Sequence, residues 1–329
     1  MKSEVHVITL ADENFVLPLA VLVRSMLDHL AAEREIRLIV IDGGISDESR
    51  TRLTASWNDA RLRVSWRTPG YGGASSLPVW GRIPPLTYAR LMAPSLLPEG
   101  CRRAIVLDAD QLVLKDLGLL ADAPFHGACV LAPRDMFIPT VGSINGLAGY
   151  AHLGLAPGTP YLSGAVMVID VAAWGRENVS ERTLAFVAEN AHQLRAFDQD
   201  ALNAVLKDRW LELDPRWQVQ PRALGLRPSV TPHLDGATRA TVAADPWIVH
   251  FSGRLKPWLY RGRTRFDHMF RETLSRTGFA DYRTPRTLQA MAFRLYDGVL
   301  RRLFYSTEVR LDKTLREFRR RHAPSEQRP

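Results

Sequence analysis

Cysteine is scarce in this chain: two residues in 329, Cys101 and Cys129, with no metal-ligand spacing between them. That excludes a disulfide framework and a thiolate metal site, and it favours a reducing compartment with each thiol acting as a small buried hydrophobe. Long apolar runs are missing as well. The longest early one, FVLPLAVLV, is broken by Pro18 and too short to cross a bilayer. The N-terminal MKSEVHVITLADEN turns polar within a few residues and has no signal-peptide core, so a cytoplasmic location is expected. No internal repeat or low-complexity segment stands out.

An ordinary globular balance remains. Hydrophobic residues at 46% and charged residues at 24% supply a sizeable core, and the length suits one large α/β domain or two smaller ones. The net charge of +8 invites a nucleic-acid partner, but between Arg286 and Arg321 ten Lys/Arg stand against four Asp/Glu. The excess is therefore concentrated at one end, which suits a tail meeting an anionic surface better than a groove along the chain; nucleic acid is not expected.

The pattern alternates between strand and helix. EVHVITLA (Glu4 to Ala11) is β-rich, and Leu19, Val23, Met26, Leu27 and Leu30 follow at helical spacing. REIRLIVIDGG (Arg34 to Gly44) is a second strand. Ser46, then Ser49, are candidate N-caps of a helix, and LRVSWR (Leu62 to Arg67) is a third strand. This order predicts a parallel sheet with helices on both faces. A Gly/Pro/Ser-rich loop (68–85) precedes TYARLMAPSLLP, which reads as a helix; a second such loop (138–160) precedes the strand YLSGAVMVIDV. Ligands of such sheets bind at the carboxyl ends of the strands, where Asp12, Asp42, Asp108, Asp110 and Asp170 all follow apolar runs.

Four stretches carry chemistry, each with a plainer reading beside it. In RAIVLDAD, residues two apart along an extended segment share a side, so Asp108 and Asp110 can face one hard cation; both can equally be solvated turn residues. In IVHFSGRLKPW, His250 can complete a site begun by carboxylates, and Lys256 can neutralise a diphosphate; otherwise His250 is a core histidine and Trp258 packing. In RAFDQDALN, Asp198 and Asp200 suit the first turn of a helix, which explains one acid well and the Gln199 between two acids poorly. In ADENFVLPL, Asp12 and Asn14 sit where a nucleoside would lie in a doubly wound sheet, and turn chemistry explains them equally well.

Together these stretches resemble the retaining glycosyltransferases of family 8, which include bacterial lipopolysaccharide galactosyl- and glucosyltransferases and, more distantly, glycogenin. ADEN-x₃-P-x-A-V, IDGGISDESR, TYARL, RAIVLDAD, YLSGAVMVIDVAAW, FDQDALN, PRWQVQP and HFSGRLKPW occur in the family's order from about residue 5 to about 260. The resemblance implies a single GT-A-type (Rossmann-like) nucleotide-sugar-binding α/β domain over residues 1–280, with a mixed, mostly parallel sheet. It implies a UDP-hexose donor and Mn²⁺, or Mg²⁺ in its place, held by Asp108, Asp110 and His250. Ala11, Asp12, Asn14 and Ala109 would meet the nucleotide. Arg90, Asp198 and Gln199 would hold the donor sugar, Gly253 and Lys256 the phosphates, and Asp135 would lie near sugar and acceptor.

One position departs from the family: Ser163 in YLSGAV stands where an Asn is common, which puts the sugar's identity in doubt more than the nucleotide. The expected product is a surface glycan built by retaining transfer of galactose or glucose. Residues 281–329 read as a basic amphipathic helical tail, with Leu288, Met291, Leu295, Val299 and Leu303 on one face and Arg294, Arg301, Arg302 and Arg319 to Arg321 supplying charge. Such a tail would lie on the inner face of the membrane near a lipid-linked acceptor, or pack on the domain with a solvated basic face. Two other readings share parts of the pattern. A metal-dependent sugar nucleotidyltransferase would want a Gly-rich loop after the first strand, which ADENFVLPL is not. A basic nucleic-acid or membrane adaptor with a dead site is the other, and Mn²⁺-dependent UDP release from UDP-galactose or UDP-glucose would separate these readings.

Overall fold

The computed structural model describes residues 3–69, 86–226, 230–253, 256–260 and 264–285, together with 262, 288 and 292. Most of the basic tail and most of the first Gly/Pro-rich loop lie outside the described residues.

β1 (Ser3–Ala11), β2 (Arg34–Asp42) and β3 (Leu62–Arg67) run parallel, with Val7 opposite Leu38 and Leu38 opposite Val64. β1 also pairs in parallel with β4 (Arg103–Asp108). After β5 (Gln111–Val113) and β6 (Val130–Ala132), β7 (Val166–Asp170) returns antiparallel to β4, and β8 (Trp210–Glu212) runs parallel to β6. The order is β3-β2-β1-β4-β7-β6-β8; a separate ribbon pairs β5 with β9 (Ile248–His250). β1, β2 and β4 are near-continuous apolar runs because helices cover both faces.

On one face lies α1 (Val16–His29), whose Leu19, Val23, Met26 and Leu27 are buried; Pro18 is accommodated in its first turn, where its missing N–H costs nothing. The helix α2 (Asp47–Ser56) is capped by Ser46, which accepts from Ser49 N. On the other face TYARLMAPSLLP does not form one helix. A single turn, α3 (Leu86–Ala89), tightens into a 3₁₀ segment (Arg90–Leu96), because Pro94 denies the α ladder its N–H. The short helix α4 (Gly118–Ala121) follows β5, and α5 (Val171–Arg176), α6 (Val179–Asn190) and α7 (Asp198–Leu206) pack on the α3 face. Finally α8 (Pro221–Leu224) and α9 (Gly236–Ala244) build a small cluster with Met136, and α10 (Arg265–Leu274) packs on α1, where Phe270 stacks on Trp258.

Antiparallel β7 corrects one expectation. Asp170 pairs with Arg103, at the opposite end of the sheet from Asp108, and its carboxylate accepts from Ala173 N at 2.8 Å to cap α5. Asp42 does lie at the carboxyl edge, but its carboxylate accepts from Gly44 N and Ile45 N and pairs with Arg50, so it shapes the turn after β2. Cys129 is fully buried and Cys101 partly so.

Candidate active site

β4 delivers Asp108 to the carboxyl edge beside β1, and a tight turn through Ala109 presents Asp110. The two acids converge through this turn rather than along an extended segment. The chain then reverses into β5, whose antiparallel register sets Gln111 opposite His250, while Phe251 N donates to Asp110 O at 3.0 Å. That pairing carries a histidine across about 140 residues of sequence to the two carboxylates. His250 Nε2 lies 3.2 Å from Asp110 Oδ1 and 3.6 Å from Asp108 Oδ2. One ligand atom from each of the three lies within 4.8 Å of the others. Two carboxylates and an imidazole suit a hard or borderline divalent cation, so the donor set fits the metal that the resemblance implies.

Electrostatics within the site are strongly coupled. Burial pushes Asp110 toward its neutral form, but the Lys256 ammonium and His250 outweigh it and hold the carboxyl well below the usual range. Burial likewise opposes protonation of His250, and the facing Asp110 reverses that and raises it. Lys256 Nζ donates to Asp110 Oδ2 and, at 2.7 Å, to Phe251 O.

Arg90, Asp198 and Gln199 form the second half of the site. The buried Arg90 guanidinium donates to Asp108 Oδ1 at 2.6 Å and to Gly164 O at 2.7 Å, and its Nε stands 3.0 Å from Asp198 Oδ2. Burial raises Asp198 to about 6, with Arg90 pulling the other way and Asp108 adding to the rise. Gln199 Oε1 accepts from Gly164 N at 3.0 Å, and its Nε2 donates to Asp135 Oδ2 at 3.2 Å. Asp135 is buried and shifted upward by that burial, although Phe137 N and Ile138 N donate to it.

The puzzle of two acids around Gln199 resolves here. Asp198 faces Arg90. Asp200 faces away, fully buried, and accepts from Tyr161 Oη at 2.6 Å and from Arg195 N and Ala196 N.

The remaining predicted residues lie in the segments that follow β1, precede β7 and follow β9. Ala11 ends β1, and Asp12 accepts from Asn14 N at 3.0 Å in the turn that follows. Glu13, which the sequence reading passed over, accepts from Ser46 N and Ser49 Oγ and so ties that turn to α2. Ser163 lies at 1% exposure and accepts from Gln218 Nε2 at 2.6 Å, so an amide from the PRWQVQP segment reaches the position where the family often has Asn. Gly253 adopts φ +80°, a backbone conformation open chiefly to glycine. Sequence reasoning missed Gln218, Tyr161 and Arg222 as neighbours of the site, because their contacts depend on strand register rather than on local spacing.

A mostly parallel sheet whose acidic strand end meets a histidine and paired basic side chains has the architecture of GT-A glycosyltransferases. Solved structures agree in fold. The bifunctional glycosyltransferase WbbM in its apo form aligns with TM-score 0.69 at 23% identity, over 84% of this chain and 50% of that one. The active-site mutant Q189E of LgtC aligns with TM-score 0.68 at 24% identity, over 87% and 99%. The sequence profile of glycosyl transferase family 8 matches residues 6–262, and the chain belongs to that family: it is a glycosyltransferase. General stress protein A of Bacillus subtilis is 30% identical over 78% of this chain and 88% of its own length. The lipopolysaccharide 1,2-glucosyltransferase of Escherichia coli is 24% identical over 55% of this chain, which spans about half of that relative. Among the described residues no helix is long and apolar enough to cross a membrane.

Proposed function

We propose that this enzyme transfers a hexose, galactose or glucose, from a UDP-sugar to a glycan acceptor with retention of anomeric configuration, in the synthesis of a bacterial surface glycan. The observation that carries the reading is the convergence of Asp108, Asp110 and His250 beside the Arg90–Asp198–Gln199 group at the carboxyl edge of the sheet. Asp108, Asp110 and His250 would hold Mn²⁺, or Mg²⁺; the bound ion would supply positive charge against which the diphosphate leaves. Ala11, Asp12, Asn14 and Ala109 border the nucleotide side, Gly253 and Lys256 the phosphate side, and Ser163 the sugar side.

Arg90 orients Asp198, whose carboxylate would offset the positive charge that develops on the departing sugar. Gln199 supports front-face attack by the acceptor over a covalent intermediate: an amide oxygen is a weak nucleophile, and this one already accepts from Gly164 N. Asp135, joined to Gln199, would lie on the acceptor side. We take residues 1–280 as the catalytic domain and residues 281–329 as a basic tail that holds it, in the cytoplasm, against the anionic inner face of the membrane near a lipid-linked acceptor.

A panel of UDP-sugars assayed for UDP release with and without Mn²⁺ tests the reading. Turnover should require the metal and favour UDP-galactose or UDP-glucose. Asp110→Asn and His250→Ala should each abolish it, and full turnover in either variant would overturn the metal assignment.

A further inference from the structure

The family pattern supplies one basic side chain for the diphosphate, Lys256, and the structure shows that chain already engaged with Asp110 and Phe251 O. Arg90 is likewise committed, to Asp108, Asp198 and Gly164 O. Both cations are thus bound to carboxylates. A diphosphate becomes more negative as the sugar departs, and a further cation on the phosphate side would stabilise that charge as it develops.

A third cation stands beside the loop. Val219 bridges to Val249 in parallel: Val219 N donates to Ile248 O, and His250 N donates to Val219 O, each at 2.8 Å. The two segments leave the ribbon side by side. Three residues beyond Val219 comes Arg222, and three beyond His250 comes Gly253. Their proximity is close enough that a Cβ built on Gly253 would fall 2.6 Å from Arg222 Nη1. The φ of +80° favours glycine there, and the Arg222 guanidinium lies over the space its missing side chain leaves.

The turn bearing Arg222 is held firmly. Ala223 is buried with Met136, Val219, Leu234 and Val242, and Arg239 donates to the carbonyls of Ala223, Leu224 and Leu226 at 3.2, 2.6 and 2.9 Å. These contacts hold the backbone that carries Arg222 in place beside Gly253.

We propose that Arg222 is a second diphosphate-binding cation, acting with Lys256 on the nucleotide's phosphates. The proposal rests on the UDP-sugar reading above. A guanidinium presents paired N–H donors that match phosphate oxygens, which a lysine ammonium does not. Its contribution grows with the charge on the phosphates, so it favours UDP over uridine.

The test measures Kd for UDP and for uridine, with Mn²⁺ present, on the wild type and on Arg222→Met and Arg222→Lys. Losing charge-assisted hydrogen bonds should weaken UDP binding by about tenfold or more in Arg222→Met. Arg222→Lys should fall between it and the wild type, and uridine affinity should stay constant throughout, which a misfolded variant would not allow. Unchanged UDP affinity, or an equal loss for uridine and UDP, overturns the assignment. A wild type that binds no UDP at all overturns the donor reading itself, and this inference with it.

Discussion

Replacing Lys256 with methionine separates its two attachments. In the structure its Nζ donates to Asp110 Oδ2 and to Phe251 O, and the ammonium stands 5.8 and 5.6 Å from the ring centroids of Phe15 and Trp258. Methionine keeps most of the stem's packing and removes the charge. Asp110, at 5% exposure, is then left with His250 as its facing partner. Stranding a buried carboxylate costs about 3 kcal/mol, reduced somewhat by the imidazole that stays. Urea melts without metal should therefore show Lys256→Met markedly less stable than the wild type, with m unchanged. A divalent cation should restore most of the loss, because Mn²⁺ would no longer compete with an ammonium for Asp110. Its affinity in the absence of nucleotide should rise by about tenfold, the equivalent of one charge-assisted hydrogen bond. UDP affinity should move in the opposite direction, since the same lysine is proposed to face the phosphates. Titrations that follow free Mn²⁺ by electron paramagnetic resonance, with and without UDP, read both effects. If Mn²⁺ alone binds more weakly to Lys256→Met, the lysine does not draw on the carboxylate the metal needs, and the reasoning fails.

Asp198 has a folded-state pKa of about 6 against an unfolded value near 3.8, so the folded protein holds the proton over that interval. Its contribution to stability is complete only well below the unfolded value and is lost as the pH rises through 6; the stability of the wild type relative to Asp198→Asn should therefore drop by about 2 kcal/mol from pH 4 to 7, and parallel curves would refute the shift. Tyr161→Phe removes one of three donors to the buried Asp200 and should cost about 1–3 kcal/mol in urea melts. Thr264 and Asp267 form a reciprocal capping box at the start of α10, so Thr264→Ala should cost about 1 kcal/mol; a loss within error would mean that packing of Phe266 and Phe270 alone sets that helix.

The central strands were legible because they are local and apolar. β3 has the bounds its alternation implied, and β2 departs only in leaving the glycine pair Gly43–Gly44 to the turn. The 3₁₀ segment after α3 reads as helix in the sequence because Met92 and Leu96 keep a helical spacing that Pro94 overrides. The β5–β9 ribbon was invisible for a different reason. Each of its strands has three residues, too few for a period, and its register is set by a partner far along the chain. That ribbon positions the site, which is why His250 was identifiable by resemblance but not from its own surroundings in sequence.

The aspartates at the strand ends show what separates a site from a turn. Asp42 and Asp170 looked much like Asp108 and Asp110 in sequence, each closing an apolar run. Their carboxylates accept from backbone N–H groups two and three residues on, the signature of a turn or a cap. Asp108 and Asp110 instead face Arg90, His250 and Lys256, delivered by two distant segments of the chain. A turn aspartate satisfies itself locally, and its partner N–H groups can be guessed from a few neighbouring residues. An aspartate compensated only by distant cations must be placed by the whole fold, and a buried charge so placed is worth its desolvation only where something binds it in turn. The same reasoning leads to Arg222, whose position against Gly253 follows from the pairing of Val219 with Val249 and from nothing nearer in the chain.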